Sequence, residues 1–597
     1  LAPLRELRVA CVLDADRHAA LNRAGKNYWD LYLREMLDEM GLRADEIGPA
    51  ALGDPAQLDR YAAILMGDVD AGNIPGADEH LERWVREGGT LVGTSTAGLD
   101  ALFGNRPRGL IRQPQDEYSI AATLSLAAHP LTRDIHAPHH PEQRLLAFSD
   151  ARDVRPERSF ELARLHDPTG RDLGCAAVTV RSLGAGRAAY FAFSLPQTLW
   201  VLHQGRPVDG DRDGDGYLRR SDAIPIRPHS IEVAYADELL ALLVNLIAAR
   251  PFAFIDPLPP MAGGRDIPDA LFHWGGDDEG AADGIQLAAS NWMRSRELPY
   301  HINAMPRKDG TFGLSAADAE KIRANGHEIS IHYNFMDNFA KGAAFTREDV
   351  LAQAEAFRRQ FGADPVCTVN HWLRWTGYTE PARWMREAGG RADNSFAHSG
   401  SPPLNPTNLL GFSFGTAFPF WFYDDARGGN ARIDFLEMPI NAYEVGYLDK
   451  DRVDFASVRK VVDHAARYRA TMNMFHHPHF IAAYPSTRAA IEEGLRYARQ
   501  RGVRSLHMGN DELYRWWRAR SEARVERVAS SGDQVEVESD ASVEIVVKIP
   551  LGSRMLGGVT IDGSRPASAF RVEERFGRCW ALAVVPAGRH RATFWLR

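Results

Sequence analysis

At 597 residues the chain exceeds what one hydrophobic core supports, so several domains are expected. With 45% hydrophobic and 25% charged residues it has ordinary globular composition, and no apolar run is long enough to span a bilayer. The 70 basic and 79 acidic residues are interspersed and leave a net charge of −9, which argues against nucleic acid or an anionic membrane as main partner and suits a neutral or basic substrate.

From Arg8 the chain alternates strands and helices: the strand "RVACVLDAD", a helix over Tyr28 to Met40 with Trp29, Leu33, Met36, Leu37 and Met40 on one face, then the strand "AAILMGD". The helix "ADEHLERWVREGG" stops at a glycine pair and feeds "TLVGTSTAG", a strand meeting a sharp turn. An apolar helix, "DELLALLVNLIAAR", closes the region near Arg250. This pattern predicts an α/β domain with a parallel sheet. The stretch "WVREGGTLVGTSTAG" resembles the class I glutamine amidotransferase-like, flavodoxin-like domains appended to carbohydrate-active enzymes. Where working amidotransferases carry a cysteine, the turn offers Thr94, Ser95 and Thr96, so a non-catalytic domain is expected, with self-association through it as a further expectation.

Within this region "DGDRDGDGYLRRSD" places Asp211, Asp213 and Asp215 at alternate positions, Gly216 at the turn, the Tyr217 carbonyl next and Asp222 at the twelfth place. That is the spacing at which oxygens converge on calcium. The four cysteines, Cys11, Cys175, Cys367 and Cys579, form no CxxC pair, which argues against a zinc ribbon or a disulfide scaffold. A start at Leu1 without Met or signal peptide reads as a processed exported protein, secreted or periplasmic, with the cytoplasm left open.

The Pro- and Gly-rich stretch "IDPLPPMAGGRDIPDA" marks a boundary, giving an amidotransferase-like domain over 1–255. Strands and helices then alternate over 256–523: "DALFHWGGDDEG" ends a strand in acids, Ser315 caps the helix "AADAEKIRAN", and "HEISIH" ends a strand at His332. Beyond Ala523, runs such as "DQVEVES" and "SVEIVVKI" predict a small antiparallel β-sandwich over 524–597.

The order of motifs in the central region, Asp277-Asp278, "NGHEISIH", "VNHWLRW", "EMP" after "RIDFL", "MNMFHHPHF" and "GVRSLHMGNDELYRWWRAR", resembles the polysaccharide deacetylase family of carbohydrate esterases. The resemblance implies a distorted (β/α) barrel that removes acetyl groups, N-acetyl ahead of O-acetyl, from a carbohydrate polymer or oligomer with zinc or a similar divalent ion. It implies Asp277 as general base, Asp278 and His332 as metal ligands, and His477 or its neighbour His476 as the acid that protonates the leaving amine. The family's second metal histidine falls at Met336, a poor ligand, so another group must complete the site. His371 is the first candidate, ahead of Asn334, Asp337 and His273. Arg374 either orients the catalytic acid or pairs with a carboxylate. Trp274, Trp372, Trp375 and Glu279 are the candidate substrate contacts. Two alternatives stay open: metal-free glycoside hydrolysis or β-elimination using Asp277, Asp278 and Glu279 with His332, His371 and His477, and sugar binding without catalysis.

Overall fold

Short apolar runs buried at every position, β1 (Val9–Val12), β3 (Ala63–Met66) and β4 (Thr90–Thr94), form the parallel heart of a sheet, with β2 (Asp45–Ile47) beside β1. Runs without alternation are what a sheet covered on both faces requires. The sheet continues through β5 (Ala122–Leu126), β6 (Leu145–Ala147), β7 (Phe160–His166), β8 (Asp172–Leu183) and β9 (Gly186–Phe191), in the order β2-β1-β3-β4-β9-β8-β7-β5-β6. Pairing is parallel from β2 to β9 and antiparallel beyond. The helix Ala77–Arg86 buries Leu81, Trp84 and Val85, and truncating Leu81 there would cost about 2–5 kcal/mol. The expected helix over Tyr28 to Met40 is a 3₁₀ turn, Trp29–Tyr32, running into the α-helix Leu33–Met40, which Gly41 ends in a left-handed conformation.

This computed structural model describes residues 4–136, 143–224, 226, 231–397, 410–563 and 565–597. They divide into two compact units, one of Leu1–Leu202, Tyr235–Ile267 and Ala519–Arg597, the other of His203–Ala234 and Pro268–Arg518. The segment with the calcium-type loop, assigned by sequence to the first domain, thus clusters with the second unit, and the C-terminal strands cluster with the first. Those strands form two antiparallel sheets, one completed by Arg5–Glu6 and the other by Phe254–Ile255. All four cysteines are free, and among the described residues no helix is long and apolar enough to cross a membrane.

Among the described residues the second unit is built on ten strands: β10 (Ala270–Asp277), β11 (His301–Ala304), β12 (Glu328–Tyr333), β13 (Cys367–Asn370), β14 (Ala392–Asp393), β15 (Phe420–Tyr423), β16 (Arg432–Glu437), β17 (Ala442–Tyr443), β18 (Thr471–Phe475) and β19 (Ser505–Met508). Their order is β15-β16-β14-β13-β12-β11-β10-β18-β17, with β19 also on β10. All pairs are parallel except β15 with β16. The two edge strands, β15 and β17, do not pair with each other among the described residues, so the sheet is a curled half-barrel that these strands leave unclosed. Helices between the strands cover it, and the cap predicted at Ser315 accepts from the Asp318 N–H. All eight residues of β10 are buried, which makes it the central strand. Gly276 lets it approach β18: a Cβ there would stand 1.9 Å from the His476 carbonyl oxygen.

Candidate metal centre

At the carboxyl ends of β10, β12, β13 and β18 five side chains converge. Asp277 ends β10, Glu279 follows it, His332 lies in β12, His371 follows β13, and His477 follows β18. Each of the three imidazoles turns Nε2 to the Glu279 carboxylate, at 3.6 Å from His332, 2.9 Å from His371 and 3.3 Å from His477. Asp277 Oδ2 lies 3.4 Å from His332 Nδ1, and Asp277 Oδ1 accepts from Asn303 Nδ2 at 3.1 Å. Asn303 and Glu444 extend the set beyond the residues that the motifs singled out, and Glu279, expected as a substrate contact or as a catalytic acid of the metal-free alternative, stands at its middle.

The backbone pays for this convergence in strain. Glu279, Trp372, Leu373 and Glu444 all have positive φ, between 46° and 56°, a region that favours glycine. Glu444 is fully buried against the two neighbouring histidines: it accepts from the His477 N–H at 2.6 Å and contacts His477 Nδ1 at 2.8 Å and His476 Nδ1 at 3.3 Å. With Nδ1 bound there, His477 presents Nε2 to Glu279.

Electrostatics follow from burial and these contacts. Burial pushes the Asp277 carboxyl above its ordinary value, opposed by His332 and His477. Glu279 is pushed up by burial too, but the three imidazoles of His332, His371 and His477 beside it outweigh this and hold it well below the carboxylate range. Burial alone would lower His332 and His477, yet Asp277 and Glu279 raise the first and Tyr443, Glu279 and Glu444 the second. Glu444 is held at about 2, since its bonds to His476 and His477 outweigh burial.

The residues present fit a divalent ion. Four ligands at about 2.0–2.1 Å from zinc stand about 3.3 Å apart, close to the Nε2-to-carboxylate spacings observed. Glu279, His332 and His371 also offer ligand atoms within 4.8 Å of one another, as do Asp277, Glu279 and His477. His332 Nε2 and His371 Nδ1 are buried without a hydrogen-bond partner among the described residues.

Asp278, expected as the ligand, is engaged elsewhere. Its Oδ1 accepts from the Gly280 and Met305 N–H groups and its Oδ2 from Gln286, and burial raises it to about 6. Met336 sets its sulfur 3.7 Å from Arg374 Nη1. Arg374 donates to the carbonyls of Leu218, Phe335 and Ala343 and has no carboxylate partner among the described residues, so it ties backbone together instead of orienting an acid. His273 bonds Asn510 and Asn334 bonds Pro306 and Asp337, away from the cluster. His476 keeps its Nδ1 on Glu444. Trp274 and Trp375 are buried, at 2% and 0% exposure, and bond His507 and the Tyr378 carbonyl, so they are core and not platforms for sugar. Trp372, next to His371, is 48% exposed and carries the Arg219 guanidinium over its ring, 5.6 Å from the centroid.

In the calcium-type loop, Asp211, Asp213 and Asp222 bring oxygens within 4.8 Å of one another. Asp215 pairs with Arg219 at 2.6 Å, and the Tyr217 ring meets Trp372 edge-on.

No protein-family model matches the sequence, and no curated protein matches it. Similar solved structures include Agd3, a carbohydrate deacetylase, at 11% identity and TM-score 0.43 over 99% of each chain. They also include β-galactosidases from Bacillus circulans sp. alkalophilus, 18% identical over 33% of this chain and 31% of that one, and from Rahnella sp. R3, 19% identical over 33% and 30%, both at TM-score 0.25. The chain thus spans about a third of the length of these β-galactosidases.

Proposed function

We propose that the chain is a metal-dependent hydrolase that removes acetyl groups, N-acetyl ahead of O-acetyl, from a polysaccharide or oligosaccharide. The observation that carries this reading is the convergence of three imidazole Nε2 atoms on the Glu279 carboxylate beside the buried Asp277. The deacetylase motif order in the sequence supports the acetyl substrate, and the exposed Trp372 offers a stacking face for a sugar ring.

In this reading Glu279, His332 and His371 hold the ion, which supplies Lewis-acid polarisation of the acetyl carbonyl and a more acidic water. Asp277 takes the proton of the attacking water on the oxygen that Asn303 does not occupy. Burial favours this step, because a carboxylate raised towards neutrality is a better base. His477, held by Glu444 through Nδ1, gives its Nε2 proton to the departing amine.

Acetate release from acetylated oligosaccharides, followed with metal content by mass spectrometry, tests the assignment. Full-length protein should carry one divalent ion at this centre and lose turnover when a chelator strips it. Glu279→Gln and His371→Ala should lose the ion, Asp277→Asn should keep it but lose about 10²–10⁴-fold in kcat, and Asp278→Asn should keep it too. Full acetate release in chelator, or metal lost only from Asp278→Asn, would sink the reading.

A further inference from the structure

In the first unit the parallel strands end on a cavity of about 430 Å³ that takes no part in the chemistry above. It is walled by the segments that follow β1, β3 and β4, including Trp29, Asp30, Asp68 and Ser95. In the order β2-β1-β3 the chain leaves β1 for one neighbour and then crosses to the other, and ligand crevices open at such a switch point at the carboxyl ends of the strands.

Three features show a built site. Ser95 holds a φ of 58°, unusual without glycine, and its hydroxyl makes no hydrogen bond among the described residues. Asp30 is 3% exposed yet lines the cavity, and one of its oxygens accepts from the Asp68 N–H at 3.0 Å while the other makes no hydrogen bond among the described residues. Gly67 makes room for that carboxyl, since a Cβ there would stand 2.1 Å from Asp30 Cγ. Trp29, half-buried, is braced edge-on by Tyr118 and Trp200, with ring centroids 6.1 and 5.1 Å away.

The charge of the lining selects the ligand. Of the five carboxyl groups in the lining, Asp68 is paired with Arg17 and Asp150 with Arg112, which leaves Asp30, Asp116 and Glu117 against the one further basic side chain of the lining, Lys26. An anion is repelled. A hydroxylated ligand bearing one ammonium group finds acceptors for its N–H and O–H groups and an aromatic face for its ring.

We infer that this cavity binds an amino sugar of the hexosamine type, through the Asp30 carboxylate and the Trp29 ring, independently of the Glu279 cluster. Calorimetric titration of the full chain with D-glucosamine at neutral pH should give a saturable one-site isotherm. Affinity should fall about tenfold or more for D-glucose, and D-glucose 6-phosphate should not bind. Trp29→Ala and Asp30→Asn should each weaken glucosamine about tenfold or more, Trp29→Phe should retain most of the affinity, and Glu279→Gln should match the parent. Thermal melts identify any variant that fails to fold, and the conservative Trp29→Phe and Asp30→Asn keep the test decisive. A flat isotherm for the parent, binding unchanged in Asp30→Asn, tighter binding of the phosphate, or loss of binding in Glu279→Gln overturns the inference.

Discussion

On a β-strand consecutive side chains point to opposite faces, so only one of the two adjacent acids at the end of β10 can face the histidines. Asp277 does, Asp278 turns to Met305, Gly280 and Gln286, and the positive φ of Glu279 brings the third acid back into the cluster. The sequence "GGDDEG" announces three acids and a turn but not which of them faces inwards, because that depends on one backbone torsion. Asn303, in β11, belongs to no motif of the sequence and was not legible there. In the structure its amide oxygen meets His301 Nε2 at 2.9 Å and its nitrogen donates to Asp277, while His301 Nδ1 sits 3.1 Å from Glu328. His301 donates from both nitrogens in this chain and is raised to about 9: burial alone would lower it, but Asp511 and Glu328 outweigh burial. Asn303 is therefore fixed with its N–H towards Asp277. Asn303→Ala should lower kcat by roughly 10- to 100-fold, the worth of one hydrogen bond to a charged group, with KM and metal content near the parent values. Steady-state kinetics with metal analysis checks this, and loss of the ion in Asn303→Ala would make the residue a metal-site support instead.

Elements with regular periodicity were the legible part of the fold: the helix Ala77–Arg86, the capped helix Ala316–Ala324 and the strand Glu328–Tyr333 lie where apolar spacing and caps put them. The segment carrying His371 was not, because its shape comes from long-range backbone bonds and two left-handed residues, Trp372 and Leu373. The calcium-type loop grips it: Arg219 donates to the Trp372 carbonyl at 2.7 Å, Arg374 to the Leu218 carbonyl at 3.0 Å, and Val208 and Gly377 exchange backbone bonds. Order in the loop is thereby coupled to the placement of His371. Four carboxylates there accept from backbone N–H groups: Asp222 from Arg212, Asp213 and Arg219, Asp211 from Gly214 and Gly216, Asp213 from Asp215, and Asp215 from Tyr217. Calcium would add a counter-charge to Asp211, Asp213 and Asp222. At 100-fold excess over its dissociation constant it should stabilise the protein by about 2.7 kcal/mol, read as a rise in melting temperature that Asp211→Asn abolishes. No shift with calcium would make the loop a purely hydrogen-bonded clamp.

At the scale of the whole molecule each unit is assembled from segments far apart in the chain, which local composition does not report. Composition located changes of texture, such as the Pro- and Gly-rich stretch after Ile255, but it carries no record of which surface a segment such as His203–Ala234 packs on. Long-range packing of that kind leaves titratable groups deep in the second unit, and they make its stability depend on pH in opposing ways. His203, stacked on Phe420 with ring centroids 4.9 Å apart, is lowered from 6.5 to about 3 by burial. Asp393 is raised from 3.8 to about 6, chiefly by burial. A histidine whose pKa falls on folding takes up its proton first in the unfolded chain, so its contribution is present above 6.5 and lost as pH falls towards 3. The carboxyl acts oppositely, costing stability as pH rises from 3.8 through 6. Between these limits the two slopes offset each other, and a melting profile of the parent protein hides both. His203→Phe keeps the ring stack and removes one titrating group, so the stability lost by the parent relative to this variant on going from neutral pH to pH 5 should be about 2 kcal/mol, one and a half pKa intervals. Urea unfolding of both proteins at the two pH values measures that difference, and an equal response to pH would mean that folding does not lower the pKa of His203.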